Sequence, residues 1–415
     1  MHDVRIVELE PRALQSAAYR FTESAEYVDG ETIKPWAPNR RKVGDLLDAT
    51  AAIVHLPQSV SMPTWLDRDT YDGLIVATAN GLLDVRKREL LSHDPRFFNA
   101  TSVPFAYDAD APRPERWLAF LKALWPEDEN AIEALQEWFG YVISGRLDLH
   151  KILLLVGPTR AGKGVIARTA GKLIGRENVA GPTLSSLNGD FGLAPLIGKS
   201  LAVVSDARLS GRGAHVVVER LLSISGEDTL TVNIKYREQW TGKLPARLMI
   251  CSNELPQLGD ASMAIAGRFV PLLLNRSWLG NEDRDLEPDL DRELTGILNW
   301  ALDGLERLTR QGRFTQPGST EDTLRALQEL ASPVAAFVRE ECVVAANKAV
   351  RVDVLYREWC VWAELNGHGK STTQVFGRNL RAAVPGVRTG QVRTGGDVVR
   401  WFRGITLRDP AKAAL

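Results

Sequence analysis

The chain has 415 residues, 44% of them hydrophobic and 25% charged, with a formal net charge of −1. That composition fits two or three folded domains with ample core volume, and it excludes a protein that holds nucleic acid by bulk charge, so any basic surface has to be local. Three cysteines (Cys251, Cys342, Cys360) without C-x-x-C spacing exclude a disulfide framework and a zinc finger, and with no apolar run near ~20 residues and no signal-peptide core a cytoplasmic protein with no membrane partner is expected.

Residues 1–145 read as a mixed, mainly helical domain. Breaker-rich loops stand at 35–41 and 57–63, and a hairpin of 73–79 with 81–85 is expected to turn at Asn80-Gly81. A proline-studded linker at 104–114 then leads into helices at 115–124 and 130–144. Asp108 and Asp110 are acids of the kind that can hold metals, but they fall in that linker with no strand to display them, and they read as loop residues.

Residues 146–310 alternate strands with helices, the signature of a parallel α/β sheet. Strands are expected at 152–156, 201–205, 246–251 and 269–274. The first is an unbroken apolar run, as a strand buried on both faces requires, and it stops at Gly157-Pro158-Thr159-Arg160-Ala161-Gly162-Lys163-Gly164-Val165 before a helical pattern begins. Strand, glycine-bounded loop, lysine and helix is the layout of a phosphate-binding loop. The glycines let backbone N–H groups turn inward, the helix offers its positive dipole end, and Lys163 reaches the β- and γ-phosphates of a nucleotide. Gly164 stands where a Ser or Thr hydroxyl usually ligates Mg²⁺. The metal must then rely on phosphates, water and a carboxylate from elsewhere, or on Thr159.

Asp206 ends the second strand and is the expected Mg²⁺ ligand or polariser of the attacking water, with Glu219 and Glu227 as candidates for a second acid. Asn253, after the third strand, can orient that water or contact the γ-phosphate. Arg268, just before the fourth strand, is either a solvated surface arginine or one donated to a neighbouring subunit's site, where it would stabilise transition-state charge.

Residues 320–415 follow a loop at 311–319. Helices at 352–365 and 373–383 precede a hairpin of 387–392 with 398–405, turning at Gly395-Gly396. The segment is rich in arginine (Arg378, Arg381, Arg388, Arg393, Arg400, Arg403) and reads as a winged-helix-like domain, suited either to duplex phosphates or to a protein partner.

As a set, GPTRAGKG (157–164), LAVVSDA (201–207), GEDTLTVNIKYREQW (226–240), LMICSNELP (248–256) and AGRFVPLLL (266–274), with NGLLDVRKREL (80–90) upstream, resemble a superfamily 3 helicase of the phage/plasmid and poxvirus primase–helicase type, within the AAA+ ATPases. The resemblance covers roughly residues 70–310. It implies an AAA+ type P-loop ATPase, a homohexameric ring on single-stranded or forked DNA, ATP and Mg²⁺ as cofactors, and phage or plasmid replication in a bacterial cytoplasm. It also implies a pore hairpin, here residues 230–247, with Leu230, Val232 and Ile234 on one face and Lys235, Tyr236, Arg237, Trp240 and Lys243 at an exposed tip. Lys235, Arg237 and Lys243 would bind DNA phosphates. The first region is too short for a polymerising domain as well, so priming would come from a separate primase or polymerase. A replication initiator that uses nucleotide as a switch stays open as an alternative. A metabolic kinase would not need the downstream Asn, the arginine or the basic terminal module.

Overall fold

A computed structural model of the chain describes residues 10–56, 60, 62–67, 73–205, 214–256, 265–324, 333–394 and 397–409. It begins with α1 (Pro11–Thr22), the hairpin β1 (Glu26–Asp29) and β2 (Thr32–Pro35), and α2 (Arg40–Ile53). Six short strands follow: β3 (Thr64–Trp65), β4 (Ile75–Thr78), β5 (Gly81–Asp84), β6 (Glu89–Leu91), β7 (Phe97–Phe98) and β8 (Ser102–Val103). The expected hairpin is present as β4–β5, with Thr78 opposite Gly81. It belongs to a four-stranded sheet in the order β6-β5-β4-β8. Asn80 in its turn accepts from Tyr107 N at 2.8 Å and donates to Tyr107 O at 2.9 Å, which ties down the start of the linker. Asp108 lies in that linker and accepts from Asp110 N at 3.0 Å, as a loop residue does.

Two helices, α3 (Glu115–Leu124) and α4 (Glu129–Ser144), lead to β9 (Ile152–Val156), α5 (Lys163–Ile174), β10 (Val179–Ala180), α6 (Leu184–Leu187), β11 (Leu201–Val204) and α7 (Ala214–Ser225). After them come β12 (Leu230–Val232), β13 (Trp240–Gly242), β14 (Arg247–Ser252), β15 (Phe269–Leu273), α8 (Leu286–Arg292) and α9 (Leu294–Gln311). Five strands pair in parallel in the order β10-β11-β14-β9-β15. Their buried, unalternating sequences match that environment. Pro271 is tolerated because β15 is an edge strand.

The core does not break at residue 145. Trp117, Trp138 and Phe139 from α3 and α4 share one apolar cluster with Leu153, Ile166 and Trp300. Where α4 meets α9 the buried Glu137 accepts from Arg307 Nε, Gln311 Nε2, Thr315 N and Thr315 Oγ1, each at 2.7 Å. Removing one member of such a buried pair costs about 3–5 kcal/mol, so the junction is fixed.

The C-terminal part comprises α10 (Pro333–Glu341), β16 (Cys342–Arg351), α11 (Val352–Leu365), α12 (Thr373–Ala383), β17 (Arg388–Thr394) and β18 (Asp397–Leu407). Its antiparallel sheet, β16-β18-β17, closes over a separate core with Phe337, Trp359, Phe376 and Phe402. Strand β16 was not expected: its Ala-Ala-Asn-Lys centre lacks alternation, and its register shifts between Val344 and Ala349. The turn at Gly395-Gly396 lies outside the described residues.

Candidate nucleotide-binding site

The loop leaves the sheet at the end of β9, pinned on both sides. Gly157 N donates to Ser252 O at 3.1 Å, and Leu274 N donates to Val156 O at 2.7 Å. A Cβ on Gly157 would fall 2.3 Å from Leu274 O, so no larger residue fits between the strand ends. Gly162, with φ +95°, occupies the N-cap of α5, and no side chain caps that helix. The first-turn amides and the positive dipole end are left to face the loop.

Lys163 folds over this turn. Its Nζ donates to Gly157 O at 2.5 Å, Pro158 O at 2.8 Å and Asn253 Oδ1 at 3.0 Å. Asn253 directly follows β14, whose Ser252 is the register partner of Val156. The lysine of the loop and the polar residue of the third strand, 90 positions apart, therefore meet at adjacent strand ends. Cys251 lies beside them. Burial, outweighing the attraction of Lys163, pushes its thiol up to about 11, so it stays protonated at neutral pH and offers no nucleophile.

A cleft of about 800 Å³ opens over the loop, and Thr159, Arg160, Ala161, Gly162, Gly164 and Val165 form its floor. One wall is the segment after β15. Ser277 Oγ donates to Thr159 O at 2.7 Å, Trp278 N donates to Arg160 O at 3.1 Å, and Arg160 pairs with Glu282 at 3.5 Å. The other wall is α3, with Arg116 and Phe120. Arg116 pairs with Asp283 across the cleft, and Arg168 Nε donates to Glu287 at 3.0 Å, which holds that carboxyl below its usual range. Sequence reasoning missed both walls. Phe120 and Trp278 carry no motif, and only folding brings them to residues 157–165.

The remaining expected site residues fall in different places. Strand β11 ends at Val204, and Asp206, two residues on, lies outside the described residues. Glu219 is exposed on α7. Glu227, the other candidate acid, is not at its own chain's loop. It sits at the opposite end of the sheet, 3.3 Å from His150 Nε2 and 3.7 Å from Lys243 Nζ. Among the described residues, no group of three His, Cys, Asp or Glu could hold a metal ion.

Arg268 immediately precedes β15, whose first residue pairs with Ile152, the first residue of β9. It stands at the end of the sheet away from the loop, roughly 15–20 Å off by strand rise. Its guanidinium lies against Gly226, and its Nη1 is enclosed with no hydrogen-bond partner among the described residues. Lys151 beside it donates to Gly267 O at 2.5 Å and is held below the usual lysine range by burial and by the Arg268 charge.

The hairpin is shorter than expected. Strands β12 and β13 pair from Leu230↔Gly242 to Val232↔Trp240, and Arg247 is not part of it. Arg247 begins β14, is buried, and donates to Val142 O and Pro245 O at 2.8 Å each. At the tip Lys235 and Arg237 are exposed, and Tyr236 is 99% exposed with φ +60°. Trp240 is not at the tip. It packs against the apolar cluster of Leu221 and Leu248, because β-pairing turns it towards Val232. Lys243 lies past the hairpin, with its charge against Glu227.

Comparison with known proteins bears on this arrangement. Residues 36–126 match a family described as D5 N terminal like, and residues 155–268 match a family of unknown function, DUF5906. The first match places a D5-type segment directly before the phosphate-loop sheet. The resemblance to superfamily 3 primase–helicases seen in the sequence is supported over residues 36–126 by that D5-type match. Among solved structures, the apo NrS-1 C terminal region (305-718) matches over 96% of this chain and 100% of that chain, at 13% identity and a TM-score of 0.51. An A form apo structure of the same region has the same coverage at 12% identity and a TM-score of 0.47. A JCV helicase structure covers 52% of this chain and 60% of that chain at 17% identity, with a TM-score of 0.33. The first of these matches speaks to the fold alone, and the other two carry no weight. No described helix is long and apolar enough to cross a membrane.

Proposed function

We propose that the chain is an ATP-dependent DNA helicase of phage or plasmid replication, acting as a ring with ATP hydrolysed between subunits. The observation that carries this is the contact of Lys163 with Asn253 at the mouth of the cleft. Lys163, at the start of α5, and Asn253, just past β14, would then act as phosphate-binding cation and water-orienting amide within reach of one γ-phosphate. ATP suits the floor of the cleft: its phosphates would take the place of the Gly157 and Pro158 carbonyls on Lys163 and face the first-turn amides of α5. Mg²⁺ would be carried by the β- and γ-phosphates, with Asp206 as its protein ligand, and supplies charge neutralisation there.

Three further parts support the reading. Arg268 stands too far from its own loop and suits a neighbouring subunit's cleft, which requires an oligomer such as a homohexamer. Lys235 and Arg237 flank an exposed tyrosine on a hairpin that can grip single-stranded DNA by phosphate neutralisation and stacking. The α-β-α-α-β-β order of residues 333–407 suits a winged-helix domain within 320–415, following a preface in 1–145 and an AAA+ type ATPase in 146–310. A separate primase or polymerase would supply primers, in the cytoplasm of a bacterial host.

The test is strand displacement from a forked DNA with ATP or ADP. Wild-type protein should displace the strand with ATP only, and Lys163→Ala should abolish both displacement and ATP turnover. A second reading, an ATP-regulated replication initiator, is favoured by Gly164, which removes the usual metal-ligating hydroxyl after the lysine. Origin binding and melting without displacement on the fork would select it.

A further inference from the structure

The cleft does not end at the phosphate loop. Beyond Gly162 it runs between α3 and the segment after β15, where apolar side chains alternate with charged ones. Phe120 sits directly on the loop: a Cβ on Gly162 would lie 3.0 Å from its Cζ. The ring is steadied by Trp117, at 5.6 Å between centroids. Arg116, Ala119, Phe120 and Ala123 line the cleft at i, i+3, i+4 and i+7, one stripe of α3, in which the two alanines leave open space beside the aromatic ring. Trp278 and Leu286 close the opposite side.

We infer that this end takes the nucleobase by apolar and stacking contact on Phe120, without reading its hydrogen-bonding edge. The substrate class is then nucleoside triphosphates at large, not ATP alone. The decisive feature is the state of the polar side chains there. Arg116 is engaged with Asp283, Arg160 with Glu282 and Arg168 with Glu287. Among the described residues, the neutral hydroxyl and amide side chains lining the cleft, Thr159 and Asn253, belong to its phosphate end. Bases differ in donors and acceptors along their edges, and a site rejects the wrong base strongly only when it hydrogen-bonds the right one. An aromatic face accepts every base, since each has a π surface.

This inference rests on the phosphate-loop reading of residues 157–165, and the experiment separates the two. Equilibrium binding of ATP, GTP, CTP, UTP and inorganic tripolyphosphate is measured with Mg²⁺ on the full chain, for wild type, Phe120→Ala, Phe120→Leu and Lys163→Ala. The four triphosphates should bind within about tenfold of one another and more tightly than tripolyphosphate. Phe120→Ala should weaken all four by about tenfold and leave tripolyphosphate unchanged. Phe120→Leu, which keeps an apolar side chain against Trp117, should act in the same direction but less. A hundredfold preference for one base would overturn the inference. So would nucleotide binding unchanged in both Phe120 variants, or an equal loss of tripolyphosphate. If Lys163→Ala binds everything as wild type does, the phosphate-loop reading itself fails, and this inference with it.

Discussion

Three of the hydrogen bonds that Lys163 makes go to neutral acceptors: two carbonyl oxygens of its own loop and the Asn253 amide oxygen. A triphosphate offers charged acceptors, and charge-assisted hydrogen bonds are roughly twice as strong as neutral ones, so the exchange favours the ligand. The loop is less well equipped for the metal. At Gly164 an added Cβ would meet Arg168 Nη1 at 2.8 Å, the far end of an exposed, flexible side chain, with no backbone atom in the way. Gly164→Thr is therefore tolerated, and it would put a hydroxyl at the position from which such loops usually ligate Mg²⁺. The expected outcome is a lower Mg²⁺ concentration for half-maximal ATPase activity, with binding of metal-free ATP little changed. An unaltered Mg²⁺ titration in a folded variant would mean that the metal does not stand next to residue 164.

At the scale of elements, the β12–β13 hairpin separates stability from surface. Val232 and Trp240 face each other and pack inward, while Lys235, Tyr236 and Arg237 project from the tip. Lys235→Ala with Arg237→Ala should leave the fold and the DNA-free ATPase rate intact. The same pair should lower DNA affinity and flatten its salt dependence, because each lost phosphate contact removes about one released counterion from the slope. Equal log–log slopes for wild type and double variant would dissociate the tip from DNA. The sheet was legible in sequence where physics makes strands distinctive: 152–156 and the 248–251 centre of β14 are buried on both faces and read as unbroken apolar runs. Strands β8 and β10, of two residues each, are too short to show a period. For Trp240, charge and aromaticity pointed to the tip, and only the pairing register shows that it faces inward. The loop at 157–165 was readable because it is one contiguous segment between a strand and a helix. The walls of the cleft were not, because Phe120 and Trp278 come together from 158 positions apart by the packing of α3 against the segment after β15.

At the scale of the whole molecule, the parallel sheet sets a polarity. Loop and Asn253 lie beyond the carboxyl ends of β9 and β14, whereas Arg268, Glu227, His150 and Lys243 gather at the opposite ends. One copy of the chain thus holds the loop and Arg268 at opposite ends of its sheet, and in the proposed ring a heterologous, head-to-tail interface would bring the Arg268 end of one copy to the loop end of the next. If Arg268 acts on a neighbour's nucleotide, Arg268→Ala and Lys163→Ala chains are each inactive alone but complement when mixed. An Arg268→Ala subunit keeps a competent cleft, and a Lys163→Ala neighbour supplies the missing arginine. Random head-to-tail pairing of equal amounts makes roughly one site in four complete, so ATPase activity should rise from background to about a quarter of wild type. That recovery should need time for subunit exchange and should vanish on dilution below the assembly concentration. An arginine that only braces its own subunit against Gly226 gives no recovery at any mixing ratio.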